Sequence, residues 1–419
     1  MRYPLDKWLK ISFFNLLLIS AIGVILRYKI TFSLPFLDQK HLLHGHSHFA
    51  FTGWITHTLM VLMVHYLSLH RKDPVFRRYR FLLYANLFTA YGMLISFPIQ
   101  GYGIWSISFS TLSIFTSYAF AIMYWKDLNS LHLKSISHLW LKAALVFSVL
   151  SSLGAFSLAT MMAAKIIHQN WYLIAVYFFL HFQYNGWFFF AGMGLITSRI
   201  APVSNLHKQL KNIFWLFLGA CVPAYFLSAL WLPMHSLVYW IVVLAAFAQV
   251  TGWILFIRLI RKNKQVFTKN FPVSGRWLLL LASFALTIKL LLQLGSTIPS
   301  LSQLAFGFRP IVIGYLHLVL LGIISIFLVG YIITFQLVKS TKTMVYGIYV
   351  LVAGIFINEL LLMTQGVAAL GYHLIPFINE SLLIAALIMF SGIALMNLWQ
   401  GKTLQPGTDL NHKETDTIN

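Results

Sequence analysis

Runs of about 20 apolar residues follow one another along almost the whole of this chain, and they decide what it can fold into. A helix that crosses a bilayer needs roughly 20 mostly apolar residues. Of the 419 residues, 59% are hydrophobic and only 9% are charged, and the mean hydropathy is +0.79. This composition excludes a water-soluble globular fold. We therefore predict an all-α, polytopic membrane protein.

Twelve segments are long and apolar enough to span a bilayer. They lie at about 8–30, 44–69, 79–99, 104–125, 138–163, 171–196, 210–230, 235–260, 276–294, 309–336, 344–365 and 378–399. The loops between them are short, so residues 1–400 are predicted to form a single integral-membrane helical domain. Residues 401–419 are polar and are predicted to be a disordered cytoplasmic tail. No strong internal repeat and no phosphate-binding glycine loop is apparent.

The net charge of +21 follows the predicted topology. Of the 30 lysines and arginines, 24 lie at the termini or in loops after even-numbered spans, five lie in loops after odd-numbered spans and one lies inside a span. The positive-inside rule then places both termini in the cytoplasm, in a multi-pass protein of the bacterial inner membrane. The cations are expected to contact membrane lipid, and nucleic acid is not an expected partner.

The chain contains a single cysteine. The lone Cys221 excludes an intrachain disulfide and a thiolate cluster. Any bound metal must therefore have histidine or oxygen ligands, or be carried in haem.

Five histidines open the second predicted span: His41, His44, His46, His48 and His57. Imidazole is costly in hydrocarbon unless it is hydrogen-bonded or bound to a metal, and it is a common ligand of transition metals and haem iron. At 100° per residue, one helix stripe contains His41, His44 and His48. A second stripe contains His46 and His57. The two stripes allow two separate sites.

Three further histidines are predicted to lie at the same level of the bilayer, in its outer half. His181 lies about ten residues into span six, His235 at the junction of spans seven and eight, and His317 about eight residues into span ten. A single intramembrane histidine most often hydrogen-bonds between helices. So many imidazoles at one depth favour a haem or a metal.

Two charges inside the predicted spans allow two interpretations. Lys289 and Glu359 either form a buried ion pair or act in a proton relay or in ligand gating. Haem propionates could pair with the cations at the outer face, which are Arg309 at the start of span ten and Arg27 and Lys29 after span one. Ordinary interfacial snorkelling gives these cations the same position.

The spans and histidines together resemble subunit I of the haem–copper oxidases, most closely the nitric-oxide-reductase and C-type oxidase branch. The motifs that carry the likeness are His44-Gly-His46, His181-Phe-Gln-Tyr-Asn-Gly-Trp and His317-Leu-Val-Leu. The chain is also similar to the NnrS family of haem- and copper-containing membrane proteins, in which a His-x-His opens the second helix. The resemblance implies a haem–copper oxidase-like helical bundle.

The resemblance also implies a haem. In that family, one histidine of helix two and one of helix ten bind a low-spin haem. This matches His317 with one of His44, His46 or His48, and the expected cofactor is haem b.

The same family implies copper as a second cofactor. Helices six and seven supply copper ligands in the oxidases, which matches His181 and His235, with help from a helix-two histidine; His57 is a further metal candidate. Two departures stand out: span ten carries one histidine where the oxidases carry two, and span seven lacks their histidine pair. A working oxygen reductase is therefore not expected.

The leading expectation is a haem- and/or copper-binding inner-membrane protein that acts in nitric oxide or metal handling. It would meet an electron-donor protein or a small gaseous ligand. Two alternatives stay open. One is an oxidoreductase, as the catalytic subunit of a divergent terminal oxidase or nitric oxide reductase. The other is a proton- or metal-coupled transporter that uses His44, His48, Lys289 and Glu359.

Overall fold

The apolar runs form helices along the entire described chain. The computed structural model describes residues 3–131, 135–200 and 206–398, and these residues form helices and no β-strand. The tail expected at 401–419 lies outside the described residues. Helices suit a bilayer because every backbone polar group finds its partner within the same segment. The expectation of an all-α membrane protein is confirmed.

Twelve long helical units follow one another in the described residues, and we number them α1 to α12. They are α1 (Tyr3–Thr31), α2 (Gln39–His70), α3 (Val75–Gln100), α4 (Ile104–Asn129), α5 (Ile136–Ala163), α6 (169–200), α7 (His207–Cys221, continued by a 3₁₀ helix over Pro223–Ala229), α8 (Ser236–Lys262), α9 (Val273–Gly295), α10 (Arg309–Thr334), α11 (Lys342–Leu370) and α12 (Ile378–Leu398). Short helices occupy Lys264–Asn270 and Pro299–Gly307.

Ten of these units are long and apolar enough to cross a membrane, and α7 makes an eleventh if its two bent parts count as one span. The α6 helix is not among them, because its centre carries the polar residues His181, Gln183 and Asn185. The structure therefore supports ten or eleven spans where twelve were expected.

Alternating helix directions gather the helix ends on two faces of the bundle. One face, here called the histidine end, carries the starts of α2 and α10 and the end of α3. The opposite face, here called the basic end, carries the end of α2 and the starts of α3 and α5. At the basic end, Asp127 of α4 receives ion pairs from Arg71 and Arg78, with N–O distances of 3.2 and 2.9 Å.

Small residues allow the last two helices to pack closely. A Cβ on Gly347 of α11 would lie 2.6 Å from the carbonyl oxygen of Gly392 in α12, so only glycine permits this approach. The α12 helix in turn packs along α1, where the Asn397 side-chain amide donates to the Phe13 carbonyl at 3.0 Å. The first and last helices are thus joined, and α2 is the most buried of the ten spans.

Candidate functional site

The histidines of α2 face two different neighbours. His48 stacks on Phe97 of α3, with ring centroids 4.4 Å apart, and His44 meets Tyr102 edge-on at 4.7 Å. His41 lies against Gly101 in the turn after α3, where a Cβ would come within 2.4 Å of its Nε2. The prediction that these three histidines share a stripe is confirmed, and the stripe faces the end of α3.

The α2 helix begins where an acidic side chain caps it. The Asp38 carboxylate accepts a hydrogen bond from the backbone N–H of His41 at 2.8 Å. This bond stabilises the charged form and lowers the pKa of Asp38. The cap explains why α2 starts at Gln39, several residues before the apolar run, and so takes all five histidines into one continuous helix.

His46 lies on the opposite face of α2, against α1. One edge of its ring faces the Ile19 backbone, and its Cε1 is 3.5 Å from where a Cβ on Gly23 would stand. Its Nδ1 is buried and has no hydrogen-bond partner among the described residues. His317 of α10 and Arg27 of α1 both lie near enough to interact electrostatically with this ring.

The Nδ1 of His317 is hydrogen-bonded, whereas its Nε2 makes no hydrogen bond to the described residues. Its Nδ1 lies 2.8 Å from the Ile313 carbonyl oxygen, which fixes the proton on Nδ1 because a carbonyl only accepts. Nε2 therefore carries the lone pair, and it makes no hydrogen bond to the described residues. No residue of Arg309–His317 is fully buried, so this half of α10 is partly accessible. Arg309 itself is exposed.

Three π-helical segments interrupt the helices that carry the candidate histidines. They occupy Ala50–Thr56 in α2, Phe182–Phe188 in α6 and Leu318–Ser325 in α10. Inserted π turns are rare and recur at functional sites. Their recurrence in every fourth helix divides the described chain into three four-helix units.

The same positions carry a sequence repeat. A histidine precedes a glycine by five positions in each unit, in His48-Phe-Ala-Phe-Thr-Gly53-Trp, His181-Phe-Gln-Tyr-Asn-Gly186-Trp and His317-Leu-Val-Leu-Leu-Gly322-Ile. The expectation that the chain has no strong repeat overlooked this one. The recurring His-x4-Gly was the signal that could have revealed it.

The three repeat helices meet in the middle of the bundle. The indole N–H of Trp54 donates to Ser325 Oγ of α10 at 2.9 Å. The indole N–H of Trp187 in α6 donates to Thr56 Oγ1 of α2 at 3.2 Å. Both tryptophans directly follow the glycine of the repeat, so the repeat supplies the contacts that join α2 to α6 and α10.

Polar side chains from α1 and α3 bind the π segment of α2. The Asn15 amide donates to the Gly53 carbonyl, and the Asn86 amide donates to the Thr52 carbonyl at 3.1 Å. The Tyr91 hydroxyl of α3 donates to Asn15 Oδ1 at 2.6 Å. These bonds satisfy carbonyls in a segment whose own helical hydrogen bonding is irregular.

His57, directly after this segment, is the least satisfied histidine of the described chain. It is fully buried, and neither ring nitrogen has a hydrogen-bond partner among the described residues. Its ring packs on Trp8 of α1 at 5.7 Å between centroids. His46 and His57 therefore both face α1, as their predicted stripe requires.

His181 is held by the protein at both ring nitrogens. The Asn185 side-chain amide donates to Nδ1 at 3.1 Å, so Nε2 carries the proton and donates to the Cys221 carbonyl at 2.8 Å. The amide orientation is set from its other side, where the Lys289 ammonium donates to Asn185 Oδ1. Neither nitrogen of His181 offers a lone pair to a metal.

His235 has a local structural role. It precedes α8, and its Nδ1 accepts a hydrogen bond from the backbone N–H of Leu237 at 3.2 Å, which makes it the N-cap. Within the described ranges, no group of three or more His, Cys, Asp or Glu is arranged to hold a metal. The residues present do not fit the copper ion that the resemblance implies for His181 and His235.

The two intramembrane charges do not pair with each other. Lys289 of α9 is bound to Asn185, whereas Glu359 of α11 accepts from the neighbouring Asn358 amide at 3.2 Å. Of the two interpretations left open for these charges, the structure therefore argues against the ion pair. The partner of Lys289 lies 104 positions away in sequence and gave no signal of its own.

Comparison with known proteins does not assign the chain to a family. No protein-family model matches it, and no curated protein is significantly similar to it. Its function must therefore be inferred from its own residues.

Proposed function

We propose that this is a haem-binding integral-membrane protein in which His46 of α2 and His317 of α10 would hold the haem iron. The observation that carries the proposal is their arrangement. The two histidines come from helices far apart in sequence and lie within electrostatic reach of each other, and among the described residues His46 Nδ1 and His317 Nε2 make no hydrogen bond. The buried Nδ1 of His46 is costly without a partner, and a bond to iron would remove that cost.

The surrounding residues suit a haem at this position. The bond from His317 Nδ1 to Ile313 fixes the tautomer and orients the ring, as second-shell carbonyls do for metal-bound histidines. Haem held by two imidazoles would supply one-electron transfer, and it would bind a small gaseous ligand only if one of the two histidines left the iron. The structure favours His46 over His44 and His48, because the other two rings pack against Phe97 and Tyr102.

Within this proposal, the process served is nitric oxide handling, with a small gaseous ligand or an electron-donor protein as the partner. The haem–copper oxidase-like bundle, twelve spans, the bacterial inner membrane and cytoplasmic termini belong to the same proposal. Three helix units with a histidine in each second helix support the bundle. Copper is left out, because His181 and His235 are committed to the protein.

The test is a reduced-minus-oxidised spectrum of protein purified from cells with ample haem. We expect the sharp bands of a six-coordinate, low-spin b-type haem, and we expect His46→Ala and His317→Ala each to abolish them. His48→Ala is the matched control, because it removes an imidazole two residues away on the other stripe, and it should retain the bands. Wild-type protein without porphyrin, or loss of haem in H48A alone, contradicts the assignment.

One observation favours transport as a second candidate function. The α7 helix bends by 44° between Cys221 and Pro223. Broken helices in mid-membrane are typical of the substrate sites of secondary transporters. Uptake measurements in proteoliposomes free of haem would separate this candidate from the first.

A further inference from the structure

Two clusters of basic residues lie at the basic end of the bundle, and they differ in their ion pairing. In the first cluster, around the start of α3, Arg71 and Arg78 pair with Asp127 at N–O distances of 3.2 and 2.9 Å. The second cluster, here called the α8 corner, consists of five exposed cations within twelve residues: Arg258, Arg261, Lys262, Lys264 and Lys269. None of these five takes part in an ion pair with the described residues.

Acidic residues are absent from a long stretch of the sequence around the α8 corner. No aspartate or glutamate lies between Asp127 and Glu359. Like charges held close together repel one another, and an anion placed among them relieves the repulsion. The first cluster obtains that anion from α4, whereas the described part of the chain supplies none to the α8 corner.

The short helix Lys264–Asn270 carries two of the five cations. On its inner side, Phe267 stacks on Phe271 with ring centroids 5.6 Å apart, and Phe271 meets Phe335 at the end of α10 at 5.4 Å. Its two lysines are exposed on the other side. A helix with an aromatic inner side and cations on its outer side is typical of the membrane–water interface.

Hydrogen bonds attach this short helix to two of the long helices. The Asn270 side-chain amide donates to the Arg199 carbonyl at the end of α6 at 3.2 Å. The guanidinium of Arg276 in α9 donates to the carbonyls of Thr268 and Phe271, each at 3.2 Å. The cations of the short helix therefore have a fixed position next to the end of α8.

The exposed side of α8 is apolar and becomes cationic at its end. Leu244, Phe247, Ile254 and Leu255 are exposed and lie on one side of the helix at 100° per residue. Arg258 continues the same side three positions later. An apolar helix surface that ends in cations matches the acyl chains and the headgroup of a phospholipid, whereas a free anion would contact the cations alone.

We propose that the α8 corner binds the headgroup phosphate of an anionic phospholipid, whose acyl chains lie along α8. Clusters of about four to eight lysines and arginines at the end of a membrane-spanning helix are typical of anionic-lipid sites. The site lies at the opposite end of the bundle from His46 and His317, and it does not depend on haem.

The test measures the binding of fluorescently labelled phosphatidylglycerol to the detergent-purified protein. We expect saturable binding that unlabelled phosphatidylglycerol displaces and phosphatidylcholine does not. A triple variant of the α8 corner should bind at least about tenfold more weakly, because each cation near an anionic headgroup contributes several-fold to the affinity. Its substitutions are Arg261→Gln, Lys262→Gln and Lys264→Gln.

The matched control removes three exposed cations from the first cluster, by Lys72→Gln, Arg77→Gln and Arg80→Gln. It changes the net charge equally and should keep the affinity within about twofold, because salt screens distant charges. All six substituted side chains are exposed, so both variants are expected to fold. The whole 419-residue chain is used, so that Asp409, Glu414 and Asp416 can compete for the corner throughout.

Three results would overturn the proposal. The first is wild-type protein that binds phosphatidylglycerol no more tightly than phosphatidylcholine. The second is equal weakening in the two triple variants, which would mean a general attraction to the basic end. The third is displacement of the lipid by excess inorganic phosphate at constant ionic strength, which would mean that the corner binds a free anion.

Discussion

Asn15 fastens the π segment of α2 to its neighbours, and its loss should cost more than the loss of one hydrogen bond. The side chain is fully buried, donates to the Gly53 carbonyl and accepts from the Tyr91 hydroxyl at 2.6 Å. Asn15→Leu is similar in size and removes both bonds. It leaves a carbonyl and a hydroxyl each with one partner fewer in an apolar environment.

The expected size of the effect follows from these two bonds. Hydrogen bonds between transmembrane helices contribute about 0.6 kcal/mol each on average. A buried polar group left without its partner adds about 1–3 kcal/mol. We therefore expect Asn15→Leu to lower the free energy of unfolding by about 2–4 kcal/mol. Tyr91→Phe removes only one of the two bonds and leaves Asn15 Oδ1 without its partner, so it should lower the free energy of unfolding by about 1–2 kcal/mol.

Reversible unfolding in mixed detergent micelles, followed by far-UV circular dichroism, measures both values. If the π segment relaxes to a regular α-helix in Asn15→Leu, the part of α2 that carries His46 turns by about one residue, or 100°. The same variant should therefore also weaken the haem bands. A loss of stability no greater than that of Tyr91→Phe would refute the idea that Asn15 holds this segment.

Three further predictions follow from single sites. His57→Leu should leave the free energy of unfolding of haem-free protein unchanged or raise it by about 1 kcal/mol, because it removes a buried imidazole without partners; a clear loss would mean that His57 binds something. A reporter fused after Trp399 should be cytoplasmic and one near Gly371 periplasmic, because of the 24-to-five distribution of cations; the reverse pair of results contradicts the topology. The backbone N–H of His41 lowers the pKa of Asp38, so the charged cap stabilises the folded protein fully above the usual carboxyl pKa, and this stabilisation is lost as pH falls through the lowered pKa. In Tm measurements from pH 7 to 3, Asp38→Asn should lack the part of the Tm decrease that comes from protonating Asp38.

Helix positions could be predicted from the sequence because apolar length alone decides them. The run at 104–125 lies within Ile104–Asn129, and the run at 138–163 within Ile136–Ala163. The start of α2 was missed, since Gln39 and Lys40 are polar and the helix begins there through the Asp38 cap. Capping depends on one side chain and leaves no trace in hydropathy.

The site could be predicted only where it depends on periodicity. The stripe of His41, His44 and His48 held, because these three residues lie before the π segment and follow 100° per residue. Hydrogen-bond partners from distant segments could not be predicted. The Cys221 carbonyl accepts from the Nε2–H of His181, and Asn185 Oδ1 accepts from the Lys289 ammonium. The π segments were also missed, since one extra residue in a turn does not change composition or mean hydropathy.

The three copies of the His-x4-Gly motif place their histidines in three different environments. His48 stacks on an aromatic ring, His181 is held by hydrogen bonds at both nitrogens, and His317 keeps one nitrogen free. The repeat therefore supplies the π turn and the central tryptophan contacts, while the chemistry of each unit depends on the residues around the histidine. In the second unit the Lys289 ammonium lies beside the amide that holds His181, and this positive charge disfavours a metal cation there. In the third unit the Nδ1 of His317 is bound to a carbonyl and its Nε2 makes no hydrogen bond to the described residues, and this is the position where we expect iron to bind.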